Sequence, residues 1–187
     1  PYANDHLELM DASKRPVVYN FFEKLFDEYI SGENPAIIGP DVHVGTDEYA
    51  KEGNIASVDN EQARQFRLFT DHFLKYIADK GKTPRLWGGL KWLKDNPETK
   101  VNPYSNAVMN SWSVDWVDPL PMLNAGFRIM NTLDSWMYIV PAAGYYREFL
   151  DIQWLYTNFR PEKVSGSQTL PSFQKGLLGA TFAVWND

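Results

Sequence analysis

Apolar positions recur along this chain with two periods, and segments of each kind alternate. Over residues 14–31, Val18, Phe22, Leu25 and Tyr29, flanked by Phe21, Phe26 and Ile30, predict a helix with a wide apolar stripe. Pro16 suits its first turn, where a missing N–H costs nothing, and Ser31-Gly32 ends it. Residues 41–45 alternate as a strand does. A second helix is expected over about 60–80, capped by Asp59 with Gln62 three residues on, buried through Phe66, Phe69, Phe73 and Ile77, and closed by Gly81. Thr83-Pro84 is read as a break before a strand over 85–90. Further strands are expected over 107–113, 127–133 and 179–185, with helices over 119–125 and 145–158. Regular alternation of this kind predicts a parallel sheet covered by helices, an α/β architecture.

The polar and aromatic clusters all fall at the C-terminal ends of predicted strands: Asp47-Glu48, Trp87, Trp112, Asp134, and Trp185 with Asp187. In a (β/α)8 barrel that end carries the active site. Composition narrows the chemistry. There is no cysteine, which excludes disulfides, thiolate catalysis and Cys-based metal sites. A net charge of −6 without a Lys/Arg cluster argues against a nucleic-acid surface. No apolar run approaches the roughly 20 residues of a membrane helix. Aromatic residues make up 15% of the chain, with 7 Trp, enough to line a site that stacks flat ligands as well as a core.

The sharpest feature is His43-Val44-Gly45-Thr46-Asp47-Glu48. A period of two turns Asp41, His43, Gly45 and Asp47 to one face, and Val42 and Val44 to the helix layer. Gly45 permits close approach to the backbone. Glu48 falls where the strand should end, so both carboxyls can reach one pocket. Like charges so close resist joint ionisation, and the carboxyl whose pKa rises can act as a proton donor. A solvated loop pair is the plain alternative, and a metal site of His43, Asp47 and Glu48 is another.

The hexapeptide resembles the His-x-Gly-x-Asp-Glu motif of glycoside hydrolase family 20, which includes β-N-acetylhexosaminidases and lacto-N-biosidases. The likeness extends over the chain in order: Leu7 to Tyr29 before the motif, Trp87 and Trp112 as pocket tryptophans, and Trp185-Asn186-Asp187 as a closing Trp-x-acidic motif. The resemblance implies a retaining, substrate-assisted reaction on a terminal β-linked N-acetylhexosamine or lacto-N-biose, without a cofactor. Asp47 would orient the 2-acetamido group, and Glu48 would protonate the leaving oxygen and then activate water. Trp87, Trp112 and Trp185 would wall the pocket, Asp187 would accept from sugar hydroxyls, and His43 would orient the carboxylates from behind. Many family members carry Tyr-x-Asp after the seventh strand. Here Asp134 fits the acid, residue 132 is Thr, and Tyr138 is the candidate phenol. Thr46 replaces a second Gly common in the motif. These details suggest a bacterial, extracellular or surface-bound branch.

The remaining candidates read as structural: His72 on the second helix, and Trp92, Trp116, Trp136 and Trp154 in packing roles. A (β/α)8 barrel needs about 250 residues; this chain has 187 and begins at Pro1. The expectation is therefore a single partial catalytic domain over 1–187, strands four to eight of a TIM barrel with the first three strands absent. Such a piece should be inactive alone, and should self-associate or need its missing half.

Overall fold

The computed structural model describes residues 8–46, 61–88, 106–116, 118–124 and 126–185. Five strands form one parallel sheet: β1 (Asp41–His43), β2 (Thr83–Trp87), β3 (Val108–Ser111), β4 (Arg128–Asn131) and β6 (Leu177–Ala180). Their spatial order is β1-β2-β3-β4-β6, and every pair is parallel. The order never reverses, as it would in a doubly wound sheet, and this one-way winding is what a barrel requires. A small parallel pair, β5 (Tyr138–Ile139) with β7 (Ala183–Val184), prolongs the sheet beyond β4 and β6.

The five predicted strands are therefore present. Thr83-Pro84, read as a break, lies inside β2, with Pro84 opposite Val42. Thr83 and Trp87 donate their N–H groups toward the β1 side, to Pro40 and Gly45, whereas Gly88 donates to Asn110 of β3. By that alternation the missing N–H of Pro84 faces β3 below its first residue, Val108, which pairs with Arg85. No ladder bond is lost, so a proline fits a central strand here. The last predicted strand is divided into β6 and β7. A register irregularity at Ile129/Met130 and Gly179 at φ +141° break the continuity.

Helix α1 (Arg15–Ile30) and helix α2 (Glu61–Asp79) cover the sheet. Phe66, Phe69, Phe73 and Ile77 of α2 are all buried, as their spacing predicts; Asp59 lies outside the described residues. The buried side of α1 is rotated from the expected stripe. Val18, Tyr19, Phe22 and Phe26 pack inward, while Phe21 and Tyr29 are exposed. The choice follows from the aromatic seam with α2: Phe22 meets Phe69 edge-on at 5.5 Å, and Phe26 meets Phe73 at 5.5 Å. His72 bonds Glu23 across the two helices at 2.9 Å, a structural role as expected.

Helix α3 (Pro119–Asn124) ends at Gly126, φ +98°, whose N–H bonds Leu123. A single turn, α4 (Asp134–Met137), separates β4 from β5. The helix expected over 145–158 is only α5 (Ile152–Asn158), capped by Asp151, whose Oδ1 accepts from the Trp154 N–H at 2.8 Å. Residues 145–151 turn instead, because Val140 N–H takes the Arg147 carbonyl at 2.9 Å and ties that segment back to the strand layer. Among the described residues no helix is long and apolar enough to cross a membrane.

Leu86, Met109, Ile129 and Leu177 are register partners across four strands and face the helices. The start of β6 is fixed by Gly176 at φ +92°, whose carbonyl accepts from Ile129 N–H at 2.8 Å. A Cβ there would lie 2.9 Å from Leu123 Cδ2 and 3.2 Å from the Phe127 carbonyl oxygen. Gly176→Ala is therefore expected to destabilise the fold by about 2–4 kcal/mol, combining overpacking with a left-handed backbone. Urea unfolding at constant m-value measures it, and a midpoint unchanged from wild type would contradict this account.

Candidate functional site

Alternation along each strand sends every second side chain away from the helices. On that inner face lie Asp41 and His43 of β1, Arg85 and Trp87 of β2, and Asn110 of β3. The lower part is polar and internally paired. Arg85 Nη2 donates to Asp41 Oδ2 at 2.8 Å, and Asn110 Nδ2 donates to Thr132 Oγ1 at 3.2 Å.

Above this floor, at the C-terminal strand ends, the rings converge. Trp87 closes β2, Trp112 directly follows β3, Tyr138 opens β5 and Trp185 directly follows β7. Trp87 and Trp185 stand 5.5 Å apart between ring centres, and Tyr138 and Trp185 5.6 Å apart. Trp112 is buried and donates its indole N–H to the Gly88 carbonyl at 2.7 Å, which fixes the ring plane. The same cluster holds Trp112, Tyr138 and Val140, with Trp87, Trp116, Tyr146 and Trp185 against them. Four of the sequence-predicted site residues are thus brought together.

Two members were not foreseen. Trp116 keeps the packing role expected of it, but packs within this cluster, tilted against Trp112 with ring centres 5.4 Å apart. Its i+4 spacing from Trp112 was the available signal. Tyr146 was hidden inside the expected helix over 145–158. Its hydroxyl donates to Asp134 Oδ2 at 3.0 Å, and its ring lies 5.4 Å from Tyr138. Asp134 itself is held by its N–H, which bonds the Trp112 carbonyl at 2.9 Å. Turn start and hydroxyl acceptor are therefore both open to this one carboxylate. Trp136 and Trp154 pack edge-on at 5.3 Å in a separate cluster, as expected.

His43 stands 5.1 Å from Trp87. Its Nδ1 accepts the Gly45 N–H at 3.0 Å, so a neutral ring must carry its proton on Nε2. Crowding among the strand ends and the Arg85 guanidinium lower its pKa from the ordinary 6.5 to about 4. The residue as a whole nevertheless remains exposed to solvent. Gly45 is held at both ends, since its carbonyl accepts from Trp87 N–H at 2.9 Å. Gly45 and Thr46 then both adopt left-handed backbone, φ +77° and +74°. The strand alternation stops there, immediately before the carboxylate pair. Asp47, Glu48 and Asp187 lie outside the described residues, as does Trp92. Among the described residues no three His, Asp or Glu side chains gather as a metal-binding set.

A β-branched residue at positive φ is strained by about 1–2 kcal/mol. Thr46→Gly removes that cost against the greater freedom of glycine in the unfolded chain. Stability should stay level or rise by up to about 1 kcal/mol; a loss above that, in urea unfolding, would refute the strain. His43 gives a pH-dependent counterpart. Its folded pKa lies below the unfolded one, so its contribution is intact above about pH 6.5 and is lost as pH falls toward 4. His43→Asn keeps an acceptor for Gly45 and cannot titrate, so its Tm should fall less steeply across that window. Parallel thermal melts at pH 4 to 7 check this.

By sequence the chain matches no family model and no curated protein. By structure it is similar to dispersin B, with a TM-score of 0.68 and 20% identity over 98% of this chain and 54% of that one. It is also similar to the pneumococcal virulence factor StrH, with a TM-score of 0.64 and 19% identity over 91% of this chain and 42% of that one. A β-N-acetylhexosaminidase from Bacteroides fragilis follows, with a TM-score of 0.57 and 19% identity over 96% and 35%. The chain thus spans about half the length of dispersin B, or less of the others, and the fold it shares with them is an α/β fold consistent with part of a barrel.

Proposed function

We propose that this chain is part of a family 20 glycoside hydrolase that releases a terminal β-linked N-acetylhexosamine, or lacto-N-biose, from a glycan. The observation that carries the reading is the aromatic cluster of Trp87, Trp112, Tyr138 and Trp185. It stands at the C-terminal strand ends, with His43 5.1 Å from Trp87, on a fold shared with a β-N-acetylhexosaminidase. Sugars present flat C–H faces that suit such rings, while a few polar groups fix their hydroxyls. The five strands are read as strands four to eight of the barrel.

In this reading Trp87, Trp112 and Trp185 wall the 2-acetamido group, and Asp47 orients it. Its carbonyl oxygen attacks the anomeric carbon as the glycosidic C–O bond breaks, and Glu48 gives its proton to the leaving oxygen. Asp47 stabilises the positive charge that grows on the acetamido nitrogen. Water, deprotonated by Glu48, then opens the oxazolinium ring, and the configuration is retained. Tyr138 is the candidate donor to the acetamido oxygen. Asp134, held by Tyr146, and Asp187 accept from sugar hydroxyls. His43 acts through the backbone that it holds at Gly45, as a positioning residue.

Among the described residues β1 and β6 are the outer strands of the sheet, and we expect this 187-residue chain alone to lack turnover and to associate. We further read the enzyme as bacterial and extracellular or surface-bound, on the resemblance of its motif to family 20 alone.

The test uses a chromogenic β-N-acetylglucosaminide and a lacto-N-biose glycoside, given to this chain and to a longer chain that contains it. Glu48→Gln should lower kcat in the longer chain by about 10²–10⁴-fold. Asp47→Asn should lower it by about 10²–10³-fold on 2-acetamido sugars while the melting curve stays in place. Unchanged turnover by either variant would sink its assigned role. Activity abolished by a chelator and restored by a divalent ion would favour a metal site of the same residues. Glycan binding without turnover in both chains would mark a binding module.

A further inference from the structure

The inner face of the sheet carries an ion pair that the reaction above does not use. Arg85 Nη2 donates to Asp41 Oδ2 at 2.8 Å, and the two side chains are only 24% and 39% exposed. A pair partly withdrawn from water adds little net stability by itself. Its placement matters more. Arg85 is the register partner of His43, and its carbonyl accepts the Val44 N–H at 2.8 Å, so the two residues stand directly opposite on neighbouring strands. Asp41 is on the strand of His43 itself, two residues and roughly 6.6 Å below it.

His43 holds its neighbour in one charge state only. Its Nδ1 accepts the Gly45 N–H at 3.0 Å. A protonated ring carries a hydrogen on both nitrogens, so that bond would give way to two facing N–H groups. It is one of two bonds that hold Gly45; the other runs from Trp87 N–H to the Gly45 carbonyl at 2.9 Å. Gly45 and Thr46 are left-handed, at φ +77° and +74°, and strained backbone of this kind persists only while its surroundings hold it. Asp47 and Glu48 follow this turn directly in the sequence.

Few charges face the ring. Among the described residues β1 contributes Asp41 and β2 contributes Arg85, while Trp87 at 5.1 Å and Trp185 beyond it are neutral. A cation beside an imidazole opposes its protonation, and an anion favours it. Burial first and the Arg85 guanidinium second hold His43 near 4, against an ordinary 6.5.

We propose that Arg85 is a positioning residue: its guanidinium, steered by Asp41, keeps His43 uncharged and thereby keeps the Gly45–Thr46 turn held at the strand end that leads to Asp47 and Glu48. The proposal rests on the function proposed above and adds what keeps the carboxylate-bearing turn in place as pH falls. It gives the inner-face ion pair a charge role rather than a packing role.

Proton NMR titration of this chain reads that role directly, because there are three histidines and His43→Asn identifies the signal. Wild-type His43 should titrate near pH 4. Arg85→Gln should raise the midpoint to about 5–6, and Arg85→Lys should return it to within about half a pH unit of wild type. Asp41→Asn should leave it at or below the wild-type value. The signs discriminate, since a general loosening of the strand ends would admit water and raise the midpoint in both Arg85→Gln and Asp41→Asn. Melting curves show which variants fold; Arg85→Met, which keeps the packing of the stem without the charge, replaces Arg85→Gln if that one does not. In a longer chain that turns over a β-N-acetylglucosaminide, Arg85→Gln should lose at least about tenfold more kcat/KM at pH 5 than at pH 7.5. A midpoint unmoved by the loss of Arg85, or raised alike by the loss of Asp41, overturns the charge role. A midpoint that rises without the excess loss at pH 5 overturns the link from His43 to the turn. If no longer chain cleaves the sugar, the function reading fails, while the titration still decides what Arg85 does to His43.

Discussion

Everything at the strand ends depends on one register. Leu86, Met109, Ile129 and Leu177 stand opposite one another on four parallel strands and bury against Phe69, Phe73 and Leu74 of α2 and Met122 and Leu123 of α3. Burying such side chains is worth about 1.5–3 kcal/mol each. A slip of one residue in any strand would turn its member of the row inward and its polar or indole neighbour toward the helices. That penalty, repeated over four strands, is what sets the inner face. Trp87, Asn110 and Met130 form the neighbouring row, and they face inward because the first row faces out.

The aromatic cluster inherits this order and adds its own constraints. Trp87 and Trp112 are placed by strand parity, but the plane of Trp112 is fixed by its bond to Gly88. Tyr138 and Trp185 are placed by the short β5–β7 pair, which resumes pairing after the α4 turn and the irregularity in β6. Asp134 sits between the two systems, its N–H on the Trp112 carbonyl and its carboxylate on Tyr146. Among the described residues left-handed backbone outside glycine occurs at Thr46, Ala142 and Phe173, and the first of these borders the site. Gly45 and Thr46 leave the extended region together, held by the His43 ring and the Trp87 N–H. A backbone pinned at both ends can keep a left-handed threonine that a free loop would relax.

The periodicity of the chain carried the sheet well, because each strand has one face that must be buried. Val42, Leu86, Met109 and Ile129 declare that face directly. It carried α2 for the same reason. It misled on α1, where Phe21 and Tyr29 looked as apolar as Phe22 and Phe26; only the aromatic seam with α2 decides between them. It misled again over 145–158, where apolar residues at helical spacing stay in solvent and the backbone bonds to Val140 instead. The tryptophans at the strand ends were legible from position. Tyr146 was not, because its role depends on a turn made by Ala142 and Gly144 that no periodicity encodes. The carboxylate pair was legible only as a motif, and Asp47, Glu48 and Asp187 stand outside the described residues.

The coupling between core and pocket has a further consequence. Leu86 and Trp87 are adjacent in sequence and belong to opposite faces, so a change that loosens the first cannot leave the second untouched. The same holds for Ile129 and Met130, where the sheet is already irregular. Weak packing on the helix side would therefore show first as displaced rings at the strand ends rather than as unfolding. Proteins tolerate small losses of core volume in overall stability, yet functional sites in general tolerate shifts of only about 0.5 Å. The helix-facing row is thus part of the site's geometry, although none of its side chains reaches the pocket.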